Sequence, residues 1–123
     1  MNPKRCVLLV DDDEGILEIG MEMLEMLGNR VFGAKSGAEA VSIFKEHANN
    51  IDLVLLDLNM PVERGGETFI KIRKIDPDAR VILSTGSGET EEVQELMKLG
   101  CRGMIHKPFS VKELSKKLAE ALN

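Results

Sequence analysis

The residues able to do chemistry fall in four places: the run Asp11-Asp12-Asp13-Glu14, Asp57 with Asn59 two positions on, Ser84-Thr85, and Lys107-Pro108. Each follows directly on an apolar run. Asp13 and Glu14 have an ordinary explanation, because acidic residues suit the start of a helix. Asp11, Asp12 and Asp57 do not: brought together, three carboxylates repel, and a hard divalent cation is the simplest remedy. A cation held by one or two carboxylates, a carbonyl and several waters describes magnesium. An aspartate beside it is a nucleophile toward a phosphoryl group. The cation and the Lys107 ammonium would neutralise oxygens of the transferring group, and the Thr85 hydroxyl would bond a third. The chemistry that fits this set is an aspartyl phosphate on Asp57, provided that one edge of the fold collects all four stretches.

The apolar pattern supplies such an edge. Cys6–Val10, Val31–Ala34, Leu53–Leu56, Val81–Ser84 and Gly103–Ile105 read as strands, several of them buried on both faces. Helical stretches alternate with them. Ile16, Ile19, Met23 and Leu27 recur at three- and four-residue steps, and Gly28 supplies a stop. Ser36 with Glu39, and Ser110 with Glu113, are capping-box pairs ahead of the second and last helices. The third helix, from about Gly66, ends before Asp76-Pro77; the fourth runs from near Glu89 to Gly100. Val111, Leu114, Leu118 and Leu122 form the stripe of the last. Five β-then-α units imply a doubly wound α/β domain, a parallel sheet with helices on both faces. Ligands of such sheets bind beyond the carboxyl ends of the strands, where all four stretches fall.

Composition sets the outer limits. The chain has 123 residues, enough for one domain over 1–123, with 43% hydrophobic and 30% charged residues, so it buries a core. A net charge of −5 argues against a nucleic-acid surface. No apolar run reaches the roughly 18 residues of a membrane span, and Met1 to Asp11 is too short and acidic for a leader. Cys6 and Cys101 lack paired spacing and sit among apolar neighbours, the pattern of buried free thiols in a reducing cytoplasm. His106 is turned from Lys107 by strand alternation and reads as a surface residue, while His47 suits a helix C-terminus. Met21, Met23 and Met26 share no face, and Glu89, Glu91 and Glu92 fit a first helical turn.

With these residues in view, the sequence resembles the receiver domains of two-component response regulators, the CheY-like family, over essentially its whole length. The likeness rests on Val10-Asp11-Asp12, Leu55-Leu56-Asp57-Leu58-Asn59-Met60-Pro61, Gly65, Ser84-Thr85-Gly86 and Lys107-Pro108-Phe109. It implies a flavodoxin-like (βα)5 fold with strand order 2-1-3-4-5. It implies Asp57 as phosphoacceptor, and Mg2+ held by Asp12, Asp57 and the Asn59 carbonyl, with Asp11 on a coordinated water. Thr85 would be the switch hydroxyl, Lys107 the partner of phosphoryl oxygens, and Lys107-Pro108 a cis peptide. The resemblance further implies a histidine kinase or phosphotransfer donor and a domain that promotes its own phosphorylation and dephosphorylation without being an enzyme. The face of helix 4, strand 5 and helix 5 would be read by an output domain or partner protein, with a weak homodimer as another use, and no contact with nucleic acid or membrane. Two departures stand out: Met104 occupies the place of the usual switch aromatic, and Gly86 replaces a common alanine.

Three other classes fit the residues less well. A haloacid-dehalogenase-like phosphatase also builds an aspartyl phosphate, but with its nucleophile after the first strand, whereas the lone Asp57 here follows the third. Flavin binding needs a phosphate cradle where Asp11-Asp12-Asp13 would repel the phosphate. A pseudo-receiver used only for contacts would not need so complete a site.

Overall fold

A run of consecutive branched aliphatic residues must be covered on both faces, which only a central strand with helices above and below provides. In the structure, a computed structural model that describes residues 4–62 and 64–122, these runs become β1 (Cys6–Val10), β2 (Arg30–Ala34), β3 (Leu53–Asp57), β4 (Val81–Thr85) and β5 (Gly103–His106). Every residue of β1, β3 and β4 is buried. Residues 1–3, the start of the segment considered above as a leader, lie outside the described residues. All strand pairs are parallel, in the expected order β2-β1-β3-β4-β5.

Between and after the strands run α1 (Glu14–Met26), α2 (Gly37–His47), α3 (Gly65–Ile75), α4 (Glu91–Lys98) and α5 (Val111–Leu122). Strand alternation sorts the core into two halves. Leu8, Val10, Val54, Leu56 and Leu83 pack with Phe44, Phe69, Ile72 and Leu96 beneath α2, α3 and α4. Val7, Leu9, Leu53, Leu55 and Ile82 pack with Leu17, Leu24, Leu114 and Leu118 beneath α1 and α5.

The helix starts follow side-chain caps. Asp13 Oδ1 accepts from the Ile16 amide at 3.1 Å, and Ser36 Oγ from Glu39 at 3.1 Å. Ser110 and Glu113 cap reciprocally: Ser110 Oγ accepts the Glu113 amide at 3.1 Å, and Glu113 Oε1 accepts the Ser110 amide at 3.2 Å. Thr90 caps α4 by accepting from Val93, so that helix begins at Glu91, and Glu89 falls before it. Gly28, at φ 89°, closes α1 in the left-handed region. Strands β3, β4 and β5 each run one residue longer than expected, to Asp57, Thr85 and His106.

The apolar stripe Ile16, Ile19, Met23 and Leu27 divides on α1: Ile16 and Ile19 are 42% and 57% exposed, while Met23 and Leu27 pack partly buried against the α1–α5 half of the core. The buried row is Leu17, Gly20 and Leu24. Gly20 explains the shift, because a Cβ there would lie 2.7 Å from Leu9 Cδ2. The helix lies against the sheet at a residue with no side chain, a position that an apolar count passes over.

At the far side of the molecule, Arg73 of α3 donates to the carbonyls of Ala79 at 3.0 Å and Gly100 at 2.7 Å, with its guanidinium 5.2 Å over the Phe69 ring. It joins the end of α3 to the turn between α4 and β5. Cys6 and Cys101 are both buried and free, as expected. Burial pushes both thiols up, Cys101 to about 12 despite the opposing Arg73 charge. No helix among the described residues is long and apolar enough to cross a membrane.

Candidate functional site

The carboxyl edge of β1, β3, β4 and β5 is where the ladders run out, and the side chains there are fixed by the last rungs. The Asp11 amide still donates to the Ala34 carbonyl at 3.0 Å, Leu58 to Ser84 at 3.0 Å, and Lys107 to Thr85 at 2.8 Å. Period-two alternation therefore carries past the strand ends. It puts Asp11, Asp57 and Lys107 on the α1–α5 side, in phase with Leu9, Leu55 and Ile105, and Thr85 on the α2–α4 side, in phase with Leu83.

Three of the expected residues form one charged knot. Lys107 Nζ lies 3.2 Å from Asp11 Oδ2 and 3.2 Å from Asp57 Oδ1. The Asp11 and Asp57 side chains are only 5% and 2% exposed, so this cation meets them in surroundings of low dielectric. Backbone amides complete the carboxylates: Asp13 donates to Asp11 Oδ1 and Asn59 to Asp57 Oδ1, both at 2.9 Å. Burial raises Asp57 above the usual carboxylate range, against the Asn59 amide and the Lys107 charge. Burial also works against charge on Lys107, but the Asp57 and Asp11 carboxylates outweigh it and hold the ammonium above its ordinary value.

Asp12 stands at the solvent side of the knot and is exposed. Its carboxylate still joins those of Asp11 and Asp57, with one oxygen from each within 4.8 Å of the others. Three hard oxygen donors, two buried and one open to water, fit a divalent cation that keeps part of its hydration shell. The mutual repulsion expected of these carboxylates is already reduced by Lys107.

Thr85 is 1% exposed. Its hydroxyl donates to Asn59 Oδ1 at 3.3 Å and accepts from the Ser87 amide at 3.0 Å. Met104, paired in register with Leu83, is half-buried against the α2–α4 half of the core. The Lys107-Pro108 peptide is cis, as the resemblance implied. His106 ends β5 and is exposed; His47 ends α2 and stacks on Phe32 with ring centroids 4.5 Å apart, a contact the sequence did not suggest.

Two features of the site take their meaning only from the structure, one of them at Gly65, which the resemblance already included. Gly65 opens α3 so close to the site strand that a Cβ would meet the Asp57 carbonyl oxygen at 2.6 Å and Leu58 Cα at 2.8 Å. Ile16, Ile19 and Met23 line an open apolar groove with Pro108 and Phe109 that ends on Lys107. Part of the apolar spacing in α1, read in the sequence only as helical periodicity, faces this groove.

The sequence model of the response regulator receiver domain matches residues 7–119. The chain belongs to this family. It is 34% identical over 116 residues to the chemotaxis protein CheY of Halobacterium salinarum, covering 94% of this chain and 95% of that protein. It is equally 34% identical to a stretch of the sensor kinase CckA of Brucella abortus, covering 94% of this chain and only 12% of that protein. The crystal structure of a receiver domain from Clostridium thermocellum superposes with a TM-score of 0.91 at 35% identity, covering 97% of this chain and 94% of that one. The receiver is thus a phosphorylation-activated signalling domain of two-component type, with the fold that its repeats imply. Nothing favours the phosphatase alternative, whose nucleophile would follow β1.

Proposed function

We propose that Asp57 is the phosphoacceptor of this receiver, and that residues 1–123 work as one domain. The observation that carries this is the bridging of Asp57 and Asp11 by Lys107, which holds a buried carboxylate beside a fixed cation at the sheet edge. Asp57 Oδ attacks phosphorus, the new O–P bond forms, and the bond from phosphorus to the donor's leaving atom breaks. Lys107, positioned by its backbone bond to Thr85, is placed to turn from the carboxylates to phosphoryl oxygens. Asp12, Asp57 and the Asn59 carbonyl, with Asp11 through a water, would hold Mg2+, which neutralises charge on the transferring group. Residues that stabilise this transfer also stabilise the later transfer to water, in which a water oxygen bonds phosphorus, the Asp57 O–P bond breaks and inorganic phosphate leaves. The receiver therefore promotes both its phosphorylation and its dephosphorylation without acting on a separate substrate.

The donor is a histidine kinase or phosphotransfer protein, and the apolar groove of Ile16, Ile19, Met23 and Phe109 beside Lys107 suits a donor helix seated next to the site. The output surface is the α4–β5–α5 face, read by an output domain, a partner protein or a second receiver in a weak homodimer. Thr85 and Met104 would form the relay to that face. Two buried free thiols support a cytoplasmic setting.

Acetyl phosphate and beryllofluoride test the assignment directly. With magnesium, each should modify or saturate the parent and leave Asp57→Asn untouched, and removal of magnesium should abolish both. Equal modification of parent and variant would refute it.

A further inference from the structure

A threonine hydroxyl has one proton to give, and in this receiver two acceptors compete for it. In the structure the proton goes to Asn59 Oδ1 at 3.3 Å, and the same oxygen accepts the Gly86 amide at 3.3 Å. The Thr85 oxygen is occupied from its other side by the Ser87 amide at 3.0 Å. One side-chain oxygen thus gathers the hydroxyl and the backbone of the first residues beyond β4. The Asn59 amide nitrogen of the backbone is itself bonded to Asp57 Oδ1 at 2.9 Å, so this grip hangs from the chain segment that carries the phosphoacceptor.

We infer that the Asn59 side chain is a positioning residue: it latches Thr85 and the β4–α4 loop in the unphosphorylated receiver. This rests on the reading of Asp57 as phosphoacceptor and Thr85 as the hydroxyl that answers it. A phosphoryl oxygen on Asp57 gains the Thr85 proton only by taking it from Asn59, so the strength of that bond subtracts from the response. Breaking it strands nothing, because Asn59 is exposed and its oxygen passes to water. Open space lies beside the loop, since Gly86 is exposed and a Cβ built there meets no atom within 4 Å. The backbone carbonyl of Asn59 and its side-chain amide therefore have separate duties, the first toward the cation and the second toward the switch.

Beryllofluoride titrations in saturating magnesium, followed by amide spectra, test the latch in the parent, Asn59→Ala, Thr85→Val and the double variant. Asn59→Ala keeps the backbone carbonyl, and its magnesium affinity is measured separately so that beryllofluoride binding is compared at saturating metal for every variant. It should bind beryllofluoride about threefold to tenfold more tightly, the worth of one net hydrogen bond. Its free-state Gly86 and Ser87 resonances should lie nearer the bound positions of the parent. In the Thr85→Val background the gain should vanish. Unchanged affinity in Asn59→Ala, a gain that survives without the hydroxyl, or a gain matched by tighter magnesium binding would each overturn the latch. A parent that binds no beryllofluoride would instead overturn the reading of Asp57, and the latch with it.

Discussion

At Asp57, the proposed phosphoacceptor, burial of a carboxylate works against the stability of the fold. Burial raises its pKa in the folded chain above the unfolded value, so the folded state holds the proton more tightly. Stability linked to this group is fully present below the unfolded pKa and is lost as pH rises through the folded one. At neutral pH the ionised carboxylate is therefore a burden on the fold. Asp57→Asn should melt higher than the parent at pH 7 without magnesium, and the gap should close as pH falls through the carboxylate range. Lys107 does not disturb this window, because its raised pKa matters only above its ordinary value of 10.5, and Asp11 still pairs with it in the variant. A variant melting lower at pH 7 would show that the ion pair outweighs burial. Asp11, Asp57, Thr85 and Lys107 were legible in the sequence because each stands within two residues of the end of an apolar run. The Asn59 side chain was not, since an amide two residues past a strand end looks like any turn residue.

Among the elements, the strands and caps could be read because both are local: a strand is a short run and a cap is a three-residue spacing. The face that a helix buries is not local. In α1 the choice between the Ile16–Ile19–Met23 row and the Leu17–Gly20–Leu24 row was made by Leu9 on another element. Gly20 and Gly65 both mark close approaches, yet their neighbours differ. At Gly20 an added methyl meets the far end of the Leu9 side chain rather than backbone, and helix propensity favours alanine. At Gly65 it meets backbone atoms of Asp57 and Leu58. Gly65→Ala should therefore cost about 1–3 kcal/mol, the range of overpacked sites, and Gly20→Ala distinctly less. Gly65→Ala should also weaken magnesium binding by displacing the Asp57 backbone. Urea unfolding and magnesium titration of the two variants check this, and equal costs would mean that the backbone yields as readily as leucine does.

For the molecule as a whole, the position of the α1 groove predicts a separation of two reactions. Ile19→Ser removes an exposed apolar side chain, so stability should change by no more than about 0.5 kcal/mol. Transfer from a phosphohistidine protein should slow, while phosphorylation by acetyl phosphate, which needs no docking, should keep its rate. Parallel slowing of both would place Ile19 in the chemistry instead. On the proposed output side, Met104 has three rotatable bonds and no ring, so inward and outward positions of its side chain would be less sharply separated than those of an aromatic. Met104→Tyr should enlarge the amide shifts that beryllofluoride induces across α4, β5 and α5, and smaller shifts would remove Met104 from the relay. The two thiols, finally, make a pair of built-in clocks. Only a thiolate that reaches solvent attacks a disulfide reagent and displaces its other sulfur, so each cysteine reacts at the rate at which its own surroundings open. Cys6 begins a central strand and reports the opening of the whole sheet. Cys101 sits in the turn that Arg73 pins, and reports α4 lifting from the sheet. The ratio of the two labelling rates, measured with and without beryllofluoride, would time the looseness of the output helix against the rest of the chain with no foreign probe attached.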